Sequence, residues 1–197
     1  DPQTLSDFVA WGKASFPARR TAVIIWNHGD GWRRASFYKE PRKAIAWDDT
    51  NGRESIDIAE LGDALATVTG NGANPIDLLA FDACLMAMVE IDAQISPYVR
   101  VRTASEETEP GTGYPFDTIL ADLHAHPQWD APDLGKSIVA RYYEAYQGET
   151  HSAVDLGTGH AALVTAIDRL AGALIANQGA LVTAIGDARR EVQQFQL

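Results

Sequence analysis

The strongest constraint in this sequence is the alternation of short, branched apolar runs with stretches of helical period. Residues 21–26 (TAVIIW) and 76–81 (IDLLAF) are bounded by turn formers and have the composition of buried strands. Residues 99–104 (VRVRTA) alternate more, which places them towards a sheet edge, and 151–156 (HSAVDL) form a weaker fourth strand. Residues 44–47 are an additional short strand or hairpin arm. Between these lie helical patterns at 58–68, 85–95, 117–123 and 134–146. A long Ala-rich stretch follows at 159–195, read as two helices broken near Gly179. Strand, helix, strand, helix predicts a mainly parallel sheet with helices on both faces.

At 197 residues the chain can bury one sizeable core, so a single domain over 1–197 is expected. Acidic residues outnumber basic ones 27 to 16, for a net charge of -11. That balance argues against nucleic acid and anionic membranes as partners and suits a cationic one. The single cysteine, Cys84, permits no intrachain disulfide. No apolar run approaches the ~20 residues of a membrane helix, and the opening DPQTLSDF does not read as a signal peptide.

In open α/β sheets, ligands bind beyond the carboxyl ends of the strands. Three expected strands run into reactive sequences there: Asn27-His28-Gly29-Asp30-Gly31-Trp32, Asp82-Ala83-Cys84 and Ser105-Glu106-Glu107. Parallel strands would bring a thiol, an imidazole and several carboxylates to one edge. Cys84 falls at the expected start of the 85–95 helix, where free amides and the helix dipole favour a thiolate. His28 could carry a proton to a leaving amine. The N–H groups of Gly29 and Cys84 could together face a developing oxyanion. Asp82 reads equally as the floor of a pocket for Lys or Arg and as a helix N-cap.

The pair NHGDGW and FDACLMAMVE resembles the two signature segments of the clostripain family of cysteine peptidases, in the clan of caspases, legumains and gingipains. The similarity continues in AWDDTNGRESIDIAELGDAL, ASEETEPGTGYPF and HSAVDL, and is strongest over 5–156. The resemblance implies a caspase-like three-layer α/β/α sandwich, and a thioacyl-enzyme mechanism with His28 and Cys84 as the dyad. It implies oxyanion donors at Gly29 and Cys84, and cleavage after Arg or Lys set by Asp82. Ser105, Glu106 and Glu107 would line the same pocket. A peptide or protein substrate and a bacterial, secreted or periplasmic setting are further implications. No cofactor is required by the resemblance, although some members respond to calcium. Family domains usually begin with an earlier strand, and by the resemblance this sequence is expected to start after it; 159–197 is read as a helical extension without an assigned role.

Family members often cut themselves between the histidine and the cysteine. The basic stretch before 44–47 makes Arg42-Lys43 or Lys43-Ala44 the expected bond. Asp48-Asp49-Thr50-Asn51-Gly52 is not an EF-hand, because aligning Gly52 puts Trp47 and Ile58 at the first and last ligand positions. A looser calcium site stays open there. His124 and His126 have no companion ligands at zinc spacing. Two other readings remain: a thiol acyltransferase or amidase, and an inactive peptide-binding module.

Overall fold

The computed structural model describes residues 1–32, 44–48, 50, 54–157 and 159–192. The parallel core is built by β1 (Ala22–Trp26), β4 (Ile76–Asp82) and β5 (Val99–Ala104), with β1 and β5 both pairing parallel to β4. A fourth strand, β6 (Ser152–Asp155), joins β5 antiparallel, giving the order β1-β4-β5-β6. A separate hairpin pairs β2 (Ala44–Asp48) with β3 (Glu54–Asp57).

Alternation along β4 divides the interior between two layers. Leu79 and Phe81 pack with Ile58, Leu61 and Leu65 of α2 (Ile58–Thr69) and Ile91 and Ile95 of α3 (Val89–Ile95). Val9 of α1 (Pro2–Ser15) completes that side. Leu78 and Ala80 face Ile119 of α4 (Phe116–Ala125) and Ile138 and Tyr142 of α5 (Ala131–Ala145). The result is the three-layer α/β sandwich the sequence predicts. α2 begins in a reciprocal capping box, Asp57 accepting the Glu60 amide at 2.7 Å while Glu60 accepts the Asp57 amide at 2.9 Å. α6 (His160–Ala176) and α7 (Gln178–Glu191) are separated at Asn177, two residues before the expected break, and their side chains are mostly exposed.

Four readings need correction. β1, expected as a buried strand, stands at the edge of the described sheet, so Val23 and Ile25 are buried while Ile24 and Trp26 on the other face are exposed. β5 is interior, lying between β4 and β6. Its arginine misled the pattern: Arg102 is 3% exposed, and its Nε and Nη2 reach Asp92 of α3 at 2.8 and 2.7 Å. A bidentate ion pair hides a charge that the alternation assigned to solvent. The helix expected at 85–95 begins only at Val89, because Leu85 adopts φ +62, outside the helical region. Helix α1 was not anticipated, although Asp1 caps it, accepting the Gln3 amide at 2.8 Å, and a proline opens it.

Candidate active site

The site grows from the register of two neighbouring strands. Trp26 of β1 stands opposite Asp82 of β4, and the Asn27 amide donates to the Asp82 carbonyl at 3.3 Å. His28 and Cys84 therefore leave the sheet at the same level, each two residues beyond a matched pair. Glycine allows their loops to meet. A Cβ on Gly29 would collide with the Cys84 carbonyl oxygen and lie 3.1 Å from Met86 Cγ and Sδ. Gly31, at φ +62, would carry one 2.8 Å from the Leu85 carbonyl. The loop is braced from outside by β2: Asp30 N–H donates to the Ala44 carbonyl and Ala46 N–H to the His28 carbonyl, both at 3.1 Å. Asn27 Oδ1 accepts the amides of His28 at 2.6 Å and Trp47 at 3.0 Å. His28 is exposed and Gly29 buried.

Cys84 occupies a turn ahead of α3, so the helix end cannot be what stabilises its sulfur. The loop after β5 holds it in place. Leu85 N–H donates to the Glu107 carbonyl at 3.1 Å and Ala87 N–H to the Ser105 carbonyl at 2.9 Å, stitching the two segments together. The Glu109 amide then donates to Cys84 Sγ at 3.2 Å, a contact that fixes the sulfur against this loop. Ser105 is fully buried, its hydroxyl shared with Thr150 at 3.1 Å and accepting the Glu107 amide at 3.0 Å. Glu106 and Glu107 are half-buried in this loop. Among the described residues, no hydrogen bond is donated by the amides of Gly29 and Cys84.

Beneath the sulfur lies a buried acid cluster. Asp82 is 2% exposed and accepts the Tyr114 amide at 2.9 Å. Burial, aided by the neighbouring Glu109, raises its pKa from 3.8 to about 6, against the pull of the Tyr114 amide. Desolvation raises Glu109 further, from 4.5 to about 8. His151 Nδ1 approaches Glu109 Oε1 at 3.3 Å. Burial lowers His151 from 6.5 to about 4, so at neutral pH it is no counter-charge. Tyr114 Oη links the cluster back to β4, donating to the Phe81 carbonyl at 2.9 Å and meeting His151 Nε2 at 2.8 Å. Among the described residues, no Lys or Arg pairs with either carboxyl group. Buried carboxylates without a cation are costly to a fold, and such arrangements concentrate where a ligand supplies the missing charge.

Sequence reasoning missed Glu109, Tyr114 and His151 as members of this cluster. The Glu-Pro-Gly step at 109–111 marked a turn but not which way its carboxyl points. Arg42 and Lys43 lie outside the described residues, while Ala44 is buried where β2 begins. Asp49, Asn51 and Gly52 are likewise outside them. Among the described residues, no group of three or more His, Cys, Asp or Glu side chains is placed to hold a metal. His126 stacks on Trp129 with ring centroids 4.5 Å apart.

The chain is similar to known cysteine peptidases. The family model of the clostripain family, the C11 peptidases, matches residues 1–191. Clostripain of Hathewaya histolytica is 32% identical over 137 residues, covering 64% of this chain and 24% of that protein. A secreted C11 cysteine protease from Bacteroides thetaiotaomicron, in complex with an irreversible peptide inhibitor, has a TM-score of 0.69. It is 24% identical and covers 84% of this chain and 48% of its own. An inactive zymogen C11 protease from Parabacteroides distasonis has a TM-score of 0.59 at 22% identity, covering 79% of this chain and 40% of its own. The chain thus spans about half or less of the length of these relatives, and its α/β sandwich is their fold.

Proposed function

Because the chain belongs to the clostripain family of peptidases, we propose that it is the catalytic part of a cysteine endopeptidase that cleaves after Arg or Lys. In this reading His28 takes the proton from Cys84, and the sulfur attacks the scissile carbonyl carbon. The amides of Gly29 and Cys84 stabilise the oxyanion. His28 then protonates the leaving amine, and a water activated by His28 hydrolyses the thioester. Asp82 receives the cationic side chain of the substrate.

The observation that carries this reading is the pairing of a sulfur that accepts the Glu109 amide with a buried Asp82 two residues before it, unpaired to any basic side chain among the described residues. A thiol acyltransferase acting on neutral substrates has no use for that acid. The same selectivity makes Arg42-Lys43 or Lys43-Ala44 the bond for self-cleavage. Like the secreted relative from Bacteroides thetaiotaomicron, the protein would act outside the cytoplasm.

The test uses fluorogenic peptides with Arg, Lys, Asp or Leu before the scissile bond. Release is expected only after Arg and Lys, and none from Cys84→Ala. Asp82→Asn should lower kcat/KM for both basic substrates about 100-fold, as when one partner of a buried charge pair is removed. Unchanged turnover in Asp82→Asn would refute the pocket, and undiminished activity in Cys84→Ala would refute the nucleophile.

A further inference from the structure

Glu109 is a buried acid that the steps above leave without a task. Its side chain is 4% exposed, and neither oxygen has a hydrogen bond of good geometry. On one side it meets the Asp82 carboxyl; on the other, His151 Nδ1 stands 3.3 Å from Oε1. The state of that histidine follows from its other nitrogen. Tyr114 gives its only hydroxyl proton to the Phe81 carbonyl, so it can only accept from His151 Nε2, which must carry hydrogen. Nδ1 of the neutral ring is then an acceptor facing a carboxyl oxygen, an arrangement that suits a protonated Glu109. Gly113, at φ +68, packs directly on Asp82: a Cβ there would lie 2.7 Å from Asp82 Oδ2 and 3.0 Å from Nε1 of the exposed Trp26, so glycine lets this loop close over the Asp82 carboxyl.

We propose that Glu109 is a second carboxyl of the cation pocket, keeping its proton while the pocket is empty and releasing it to solvent when an Arg or Lys side chain enters beside Asp82. This rests on the Asp82 pocket of the proposed function. The pair then carries one negative charge when empty and two when filled, and the ligand's positive charge compensates the added one. Values of about 6 for Asp82 and about 8 for Glu109 agree with one shared proton near neutrality. The groups facing the pair are Tyr114 from the loop after β5, Tyr142 of α5 and His151; Glu106 and Arg102 act on His151, and Glu149 on Tyr142. Burial keeps both tyrosines protonated well above neutrality, and Arg102 is paired with Asp92.

Releasing a proton is easier at higher pH, so preference for a cation should rise with pH until Glu109 is ionised in the empty pocket. The test compares kcat/KM for a peptide ending in Arg with one ending in citrulline, its neutral isostere, from pH 6 to 9. Both substrates use the same Cys84 and His28, so their titrations cancel in the ratio. In the wild-type protein the Arg:citrulline ratio should climb by up to about tenfold per pH unit towards pH 8 and level off above it. Glu109→Gln should abolish the rise above pH 7 while retaining a preference for Arg, and Glu109→Asp should keep the rise. A wild-type ratio flat above pH 7, or an equal rise in Glu109→Gln, would overturn the proposal. An Asp82→Asn ratio equal to that of the wild type would instead refute the pocket itself. If Glu109→Gln fails to fold, the wild-type profile decides alone.

Discussion

An acid kept protonated by burial makes the fold less stable as pH rises, and Glu109 allows that effect to be isolated. Its pKa goes from 4.5 to about 8 on folding, so the folded state holds more protons than the unfolded state across that window. The stability this contributes is complete below 4.5 and disappears as pH climbs through about 8. Asp82 acts with the same sign between 3.8 and about 6, and His151, lowered from 6.5 to about 4, with the opposite sign. These two roughly cancel and are exhausted by pH 6.5. From pH 6.5 to 8 the cluster's remaining contribution is that of Glu109, over 1.5 pH units at about 1.4 kcal/mol each, or about 2 kcal/mol. For a chain of 197 residues that corresponds to a fall in Tm of about 4–8 °C. The measurement is thermal melting followed by circular dichroism, in a Cys84→Ala background that cannot digest itself. Adding Glu109→Gln should remove most of the drop and leave the variant more stable than its parent at pH 8. An identical drop in both proteins would refute the reasoning.

Other outcomes follow from particular contacts. Gly29→Ala places a methyl group against the Cys84 carbonyl, so it should cost about 1–3 kcal/mol of stability and about 100-fold in kcat/KM; wild-type kinetics would mean that the two loops do not need this contact. Asp92→Ala strands the 3%-exposed Arg102 and should destabilise the protein by about 3–5 kcal/mol in urea titrations, whereas replacing both partners by apolar residues should recover much of the loss. Freshly purified wild type should show two fragments by denaturing mass spectrometry, cut at Lys43-Ala44 or Arg42-Lys43, and Cys84→Ala one intact chain. Identical masses would exclude self-cleavage.

The local pattern of residues was enough to find the sheet. The run at 76–81 became β4 because a strand buried in a parallel sheet needs branched apolar side chains on both faces, a signal carried within a few residues, whereas 21–26 formed β1 at the sheet edge with one face exposed. The glycines at 29 and 31 could be read as points of close approach because only glycine tolerates them, although what they approach was not legible. Tertiary structure alone decided whatever depends on a partner from elsewhere in the chain. Arg102 looked like an edge residue until Asp92, from the preceding helix, neutralised it in the interior. The helix expected after Cys84 was displaced by Leu85, whose positive φ the loop after β5 holds through the Glu107 carbonyl. Asp82 was visible as an acid at a strand end. That it shares its burial with Glu109, beside a histidine turned by Tyr114, became apparent only when segments 82, 109–114 and 151 converged. Periodicity is a property of neighbours along the chain, and the solvation of a charge is a property of neighbours in space.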